Sequence, residues 1–211
     1  MKKVIGVLAL QGAYLEHIVC LKNSILKHGF DVEVVEVRTP EELQRCDSLV
    51  IPGGESTAIS QIAERTGMYQ HLYDFVHSKD KSVWGTCAGL IFLANEVKNQ
   101  AELLKPLRVL DVVVERNAFG RQAQSFVTDC DFSSFWDLGE AFSTVFIRAP
   151  VISKINSEKV QLLHKLETKS GQSLVVAVRQ DNILGTSFHP ELGSDLRFHE
   201  WYIREFVLKD H

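Results

Sequence analysis

A chain of 211 residues, 45% of them hydrophobic and 24% charged, has the composition of a globular protein with a full-sized core. Its formal net charge of −4 offers no basic surface for nucleic acid or an acidic membrane, and its apolar runs fall short of the ~18 residues a membrane span needs. Four widely spaced cysteines, Cys20, Cys46, Cys87 and Cys130, form no C-x-x-C pair; this argues against a disulfide framework or a zinc site and for the reducing cytoplasm.

The chain begins with two lysines and a short apolar run, Val4 to Leu10, that superficially resembles a secretory leader. Gln11 and Gly12 break the run and no small-residue cleavage site follows, so it reads as a first buried strand. Residues 14–30 place Leu15, Ile18, Val19, Ile25 and Leu26 along one predicted helical face, with Gly29 as the C-cap. A second strand is expected over 32–37 and a third over 48–54, ending in Pro-Gly-Gly. Two helical segments fill 56–80 on either side of Gly67; a fourth strand, 81–86, runs into a helix over 88–97. This alternation predicts an open parallel sheet covered by helices on both faces.

The second half is less regular. Strands are expected over 107–117, 142–151, 173–180 and 183–192, partly antiparallel, followed by a closing amphipathic helix over 194–210. The stretch 128–142 offers no element and reads as a loop. No repeat, low-complexity tract or linker interrupts the chain, so residues 1–211 are expected to form one domain. Its fold class is α/β, a three-layer open mixed sheet, mostly parallel.

Ligands of open α/β sheets bind at the carboxyl ends of the strands, and three features are expected there. Gly85-Thr86-Cys87-Ala88-Gly89 has the form of a nucleophile elbow, where a sharp strand-to-helix turn exposes the central side chain at a helix N-terminus that favours thiolate. The same pattern arises wherever a strand packs tightly on a helix. "SFHPEL" supplies a base and a group to orient it: His189 and Glu191 are two apart, share a face in an extended segment, and are stiffened by Pro190. His28, His77, His164 and His199 fit solvated helix faces or loops and receive no role. In "VIPGGEST", Gly53 and Gly54 can turn backbone N–H groups toward an oxyanion; the plainer alternative is a Gly-Gly turn with Ser56 as helix N-cap. Taken jointly, the three describe acyl transfer through a thioester.

Pro-Gly-Gly-Glu, Gly-Thr-Cys-Ala-Gly and His-Pro-Glu, in that order, resemble the class I (triad) glutamine amidotransferases, whose domains are flavodoxin-like. "GVLALQGAYLEH", "PGGEST", "WGTCAGLIFLA", "VERNAFGRQAQSF", "FIRAP" and "SFHPEL" together resemble the glutaminase subunits of pyridoxal 5′-phosphate synthase across nearly the whole chain. The resemblance implies Cys87 as nucleophile, His189 as base and Glu191 as its orienter. It implies Gly54, Glu55, Ser56, Arg116, Ile147 and Arg148 as glutamine contacts, and Gly53 near the oxyanion. Gln11 and Gly12 match a segment whose backbone rearranges when the partner docks. The two arginines each end a predicted strand, where a guanidinium can meet a carboxylate; a solvated surface arginine is the alternative for each.

The implied reaction is hydrolysis of L-glutamine to glutamate and ammonia, the ammonia passing to a (β/α)8-barrel synthase subunit that makes pyridoxal 5′-phosphate. The implied assembly is a hetero-oligomer docked through "LQGAYLEH" and the active-site face, with no nucleic acid or membrane partner. No cofactor or metal is called for. The alternatives are an amidotransferase of another pathway, a cysteine peptidase or chaperone of related α/β type, and a non-catalytic regulatory subunit of the same complex.

Overall fold

Short β-branched runs build the centre of the molecule because a strand buried on both faces can be apolar at every position. The computed structural model describes residues 2–116, 125–137, 139–168 and 171–209. Its first half runs β1 (Lys3–Leu8), α1 (Tyr14–His28), β2 (Val32–Val37), α2 (Pro40–Gln44), β3 (Ser48–Ile51), α3 (Ser56–Arg65), α4 (Met68–Val76), β4 (Ser82–Thr86) and α5 (Ala88–Leu93). The strands β5 (Ala94–Lys98), β6 (Leu110–Glu115), β7 (Ser125–Cys130), β8 (Phe142–Ile147), β9 (Val151–Ile155), β10 (Val160–Glu167), β11 (Ser173–Gln180) and β12 (Ile183–Thr186) follow. A 3-10 turn at Pro190–Leu192, α6 (Arg197–Tyr202) and a π-helical turn at Ile203–Leu208 close the chain.

Strands line up as β2-β1-β3-β4-β12-β11-β9-β6-β5, with β10 added beside β11. From β2 through β12 every pairing is parallel. β12, β11, β9 and β6 then pair antiparallel, and β5 is parallel to β6. The expected mixed sheet is therefore present, with its parallel half where the candidate motifs lie. Successive residues face opposite sides: Val83 of β4 joins one core with α2–α5, and Trp84 joins the other with α1 and α6.

Several expected elements are corrected. The helix expected over 88–97 stops at Leu93, where Ala94 turns extended (φ −60°, ψ 145°) and the chain continues as β5 against β6. The strand expected over 142–151 is two strands, because the backbone turns at Arg148 with φ 43°. The stretch 128–142 is no surface loop. It begins inside β7, which pairs with β8 in a separate two-stranded sheet, and its Phe132 is fully buried. Phe132 stacks with Phe142 and Phe188 and meets Phe198 edge-on, so the segment helps build the core that faces α6. α2, opened by a capping box between Thr39 and Glu42, and β10 were not expected at all.

α1 is where expected, closed by Gly29 in the left-handed conformation, but it presents a different face. Leu15, Val19 and Leu26 are 54%, 56% and 83% exposed, while His17, Ile18, Cys20, Leu21 and Ser24 are buried. The polar members of that stripe can be buried because they have partners: Ser24 donates to the Cys20 carbonyl, and His17 meets His199.

Candidate active site

Three neighbouring parallel strands bring the candidate residues together. In register, Gly85 of β4 lies beside Ile51 of β3 and Gly185 of β12, and Thr86 lies beside Thr186. Residues just beyond these ends must share one edge of the sheet, whatever their separation in sequence. Beyond β3 come Gly53 and Gly54, beyond β4 comes Cys87, and beyond β12 comes His189. A Cβ on Gly53 would lie 2.3 Å from Cε1 of His189 and 3.3 Å from Cβ of Cys87, so the three segments are in contact.

Cys87 has φ 52° and ψ −104°, a conformation that costs a non-glycine residue about 1–3 kcal/mol and persists only where its surroundings impose it. Its N–H donates to the Thr186 carbonyl at 2.8 Å, and its own carbonyl accepts from Ile91 in the first turn of α5. Gly89 is needed for close approach rather than for the turn itself. A Cβ there would sit 2.1 Å from the Ile51 carbonyl oxygen, so α5 can lie on β3 only with glycine. Cys87 is 7% exposed, with Sγ 3.9 Å from the Ile147 carbonyl.

His189 is buried between Glu191 and the Cys87 side chain. Nδ1 lies 2.7 Å from Oε1 of Glu191, and the ring feels the charge of Cys87 on its other side. Burial pushes the imidazolium down, but these two partners outweigh it and push it up to about 10. Glu191 sits in the 3-10 turn. Burial pushes its carboxyl up, yet His17 and His189 hold it below its ordinary value, as a carboxylate. A thiol, an imidazole and a carboxylate thus stand in a row, the constellation that activates a sulfur nucleophile.

The row opens on a cleft of about 590 Å³, lined among others by Gly12, Gly53, Gly54, Glu55, Ser56, Arg116, Ile147 and Arg148. Arg116 directly follows β6 and Arg148 directly follows β8, as expected, and Arg116 is 3.6 Å from Glu55. The remainder of the "ERNAFGRQ" block beyond Arg116 lies outside the described residues. Glu55, not Ser56, caps α3, accepting from the Thr57 and Ala58 N–H groups. Ser56 is buried on the cleft wall, and its hydroxyl has no partner among the described residues. Gln11 accepts the Glu55 N–H at 2.9 Å, and Ala13 donates to the Gly53 carbonyl at 2.9 Å. Gly12, between them, has φ 95°, and a Cβ there would lie 2.0 Å from the Gly53 oxygen. The start of the chain is thereby latched to the glycine loop.

All four cysteines are buried free thiols. Among the described residues no His, Cys, Asp and Glu side chains gather in a way that could hold a metal, and no helix is long and apolar enough to cross a membrane. Two buried residues escaped notice in the sequence. His199, expected on a solvated face, is fully buried, and so is His17. His17 ends the "LQGAYLEH" block, so its presence in a singled-out motif was the available signal. His199 carried none, because burial of a histidine leaves no mark in hydropathy.

An α/β sheet that gathers such a row at its parallel strand ends, above a cleft, defines a class equipped for acyl transfer through a thiol. Comparison with known proteins narrows it. Residues 7–208 match the SNO glutamine amidotransferase family. The chain is 55% identical over 209 residues to pyridoxal 5′-phosphate synthase subunit SNO1 of Saccharomyces cerevisiae, covering 97% of this chain and 93% of that one. It is 45% identical over 203 residues to pyridoxal 5′-phosphate synthase subunit PdxT of Pyrococcus horikoshii, covering 96% and 99%. A crystal structure of a glutamine amidotransferase superposes with a TM-score of 0.79 at 40% identity, covering 95% and 97% of the two chains. The chain belongs to the SNO glutamine amidotransferase family and is an enzyme of that class.

Proposed function

We propose that the chain is a single glutaminase domain that supplies ammonia to a pyridoxal 5′-phosphate synthase. The Cys87 thiolate attacks the side-chain carbonyl carbon of L-glutamine. The C–N bond breaks as the His189 imidazolium protonates the leaving nitrogen, so ammonia departs and a γ-glutamyl thioester remains. Water, losing its proton to His189, then attacks the thioester; glutamate leaves and the thiol is restored. Glu191 orients His189 and stabilises its charged form. N–H groups of the Gly53–Gly54 loop and of the first turn of α5 stabilise the oxyanion. The observation that carries this reading is the register of β3, β4 and β12, which sets the glycine loop, Cys87 and His189 side by side.

Arg116 and Arg148 flank the cleft and bind the glutamine carboxylate, with Gly54, Glu55, Ser56 and Ile147 completing the pocket. Replacing either arginine with alanine removes a charge-assisted bond worth about 1.5–3 kcal/mol, and KM for glutamine rises roughly ten- to a hundredfold with a smaller change in kcat. Steady-state glutamate release measures both.

Ammonia released into solvent is lost, so the acceptor site belongs to a partner, a cytoplasmic (β/α)8-barrel synthase subunit in a hetero-oligomer. The exposed Leu15 and Val19 of α1, with Leu192 at the cleft, form the docking face. α1 begins just past the Gln11–Gly12 latch, so docking can shift the latch and re-aim the Gly53 loop. Ammonia release from glutamine is expected to be slow for the isolated chain and faster with the synthase subunit added. Equal rates with and without it would sink the coupling; no release in either condition would sink the glutaminase reading.

A further inference from the structure

Behind the row formed by Cys87, His189 and Glu191 lies a pair of histidines that the proposed chemistry leaves unused. His17 on α1 and His199 on α6 are both fully buried, with Nδ1 of His17 3.0 Å from Nε2 of His199. On its other side His17 turns Nε2 toward Oε2 of Glu191, at 3.4 Å. Neither of those two atoms has a hydrogen-bond partner among the described residues. Trp84 packs against both rings, with centroids 5.1 Å and 5.2 Å away, and confines them to their places.

Only one assignment of protons suits this geometry. A carboxylate only accepts, so Nε2 of His17 carries hydrogen. Nδ1 of the neutral ring must then accept, so Nε2 of His199 carries hydrogen. Burial holds both rings neutral, outweighing on His17 the pull of Glu191 and of Glu16, and His189 adds a push in the same direction as burial. The other neighbours leave this assignment alone. The Cys20 thiol, pushed up to about 11 mainly by burial, donates to the Glu191 backbone carbonyl, and Glu200 of α6 pairs with Lys27 and His28.

We propose that His17 is a positioning residue for Glu191: His199 fixes its tautomer, and its Nε2–H steadies one carboxylate oxygen so that the other stays on His189. This rests on the glutaminase reading. Without the donor, a buried carboxylate oxygen has nothing to hold it, and the group is free to turn away from His189.

Two polar variants separate positioning from packing. The amide of His17→Gln reaches about as far as Nε2 and keeps the donor to Glu191, whereas that of His17→Asn reaches only the Nδ1 side. In the full chain with its synthase partner, His17→Asn is expected to lower kcat roughly thirtyfold, with KM for glutamine within about twofold, as loss of an orienting outer contact does. The alkaline limb of its pH–kcat profile, set by His189, moves toward neutral pH. His17→Gln restores kcat to within about threefold and returns the limb toward higher pH. A wild-type profile in His17→Asn, or equal impairment in the two variants, overturns the proposal. His199→Phe, which fills the same space, releases the tautomer and lowers kcat about tenfold; wild-type kcat in the folded variant is equally fatal. The rate of Cys87 alkylation by iodoacetamide at neutral pH, measured without glutamine, keeps this inference distinct from the reaction. If the wild type releases no ammonia, the glutaminase reading falls. Slower alkylation in His17→Asn than in His17→Gln then still supports positioning, and identical rates overturn it.

Discussion

Cys87→Ala is expected to lower glutamine hydrolysis by at least about 10³-fold, with the cleft still able to bind glutamine. The size of the loss follows from the division of labour in the row. His189 and Glu191 act on glutamine only through the sulfur, so removing it leaves the imidazole without a thiol to activate. What remains is the cleft, its arginines and the oxyanion donors, which hold the amide but form no bond to it. The folded state should survive, because alanine fits wherever cysteine does and the thiol's contact with the Ile147 carbonyl is long, at 3.9 Å. The strained φ of 52° persists, since it is imposed by the Thr186 carbonyl on one side and the start of α5 on the other. Glutamate release, with glutamine protection against thermal unfolding as the binding readout, checks both halves. Loss of binding together with turnover would mean that the thiol shapes the pocket rather than attacks. Turnover within tenfold of wild type would remove Cys87 from the reaction.

The parallel half of the fold was legible because its inner strands are largely buried on both faces and read as apolar runs with sharp ends. β1, β3 and β4 match their expected strands to within a few terminal residues, and the edge strand β2 and the antiparallel β11 carry the bounds expected of them. What failed was decided by neighbours distant in sequence. Ala94-Asn95-Glu96-Val97-Lys98 continues a helical pattern by composition and becomes strand only because β6 lies alongside it. β10 breaks its alternation at a bulge near His164, which hides the two-residue period. In β7, buried and exposed positions alternate too weakly to mark a strand. α1 misled in the opposite way. Three of the five residues expected on its inner face, Leu15, Val19 and Leu26, are exposed, and a stripe that includes histidine and serine beside Ile18 and Leu21 faces inward, its polar members hydrogen-bonded there.

The site was legible as residue types and illegible as a place. Elbow, base and glycine loop each carry their chemistry in local spacing, and each alone admits a plainer explanation. Their proximity depends on β12 entering the sheet beside β4 after some hundred residues, which no local pattern records. The buried pair His17 and His199 marks the same limit. Two ordinary histidines on two helices become neighbours only once α1 and α6 pack on one face of the sheet.

Glu191→Gln tests the electrostatics of the row by changing little else. Glutamine preserves shape and can still accept from His189 Nδ1, but its neutral amide cannot offset an imidazolium. With the Cys87 side chain and the carboxylate both in place, His189 is pushed up to about 10 against the burial that would lower it. Without the carboxylate one of the two pushes is gone, burial gains ground and the value falls. The amide can also turn its NH2 toward Nδ1 and select the wrong tautomer, the effect that makes such neutral replacements costly in triads. A loss of kcat of about 10²–10⁴ is expected at pH 8, and the alkaline limb moves down from high pH toward neutral. Stability should change with the same sign. A group whose folded value is raised contributes fully below its unfolded value of 6.5 and loses that contribution as pH rises through about 10. The wild type should therefore exceed Glu191→Gln most in stability below pH 6.5, and this part of its advantage should vanish above about pH 10. Urea unfolding at pH 6 and at pH 10, set beside pH–kcat profiles of both proteins, reads the two effects separately. An unmoved alkaline limb in a folded Glu191→Gln would show that His189 holds its proton without the carboxylate.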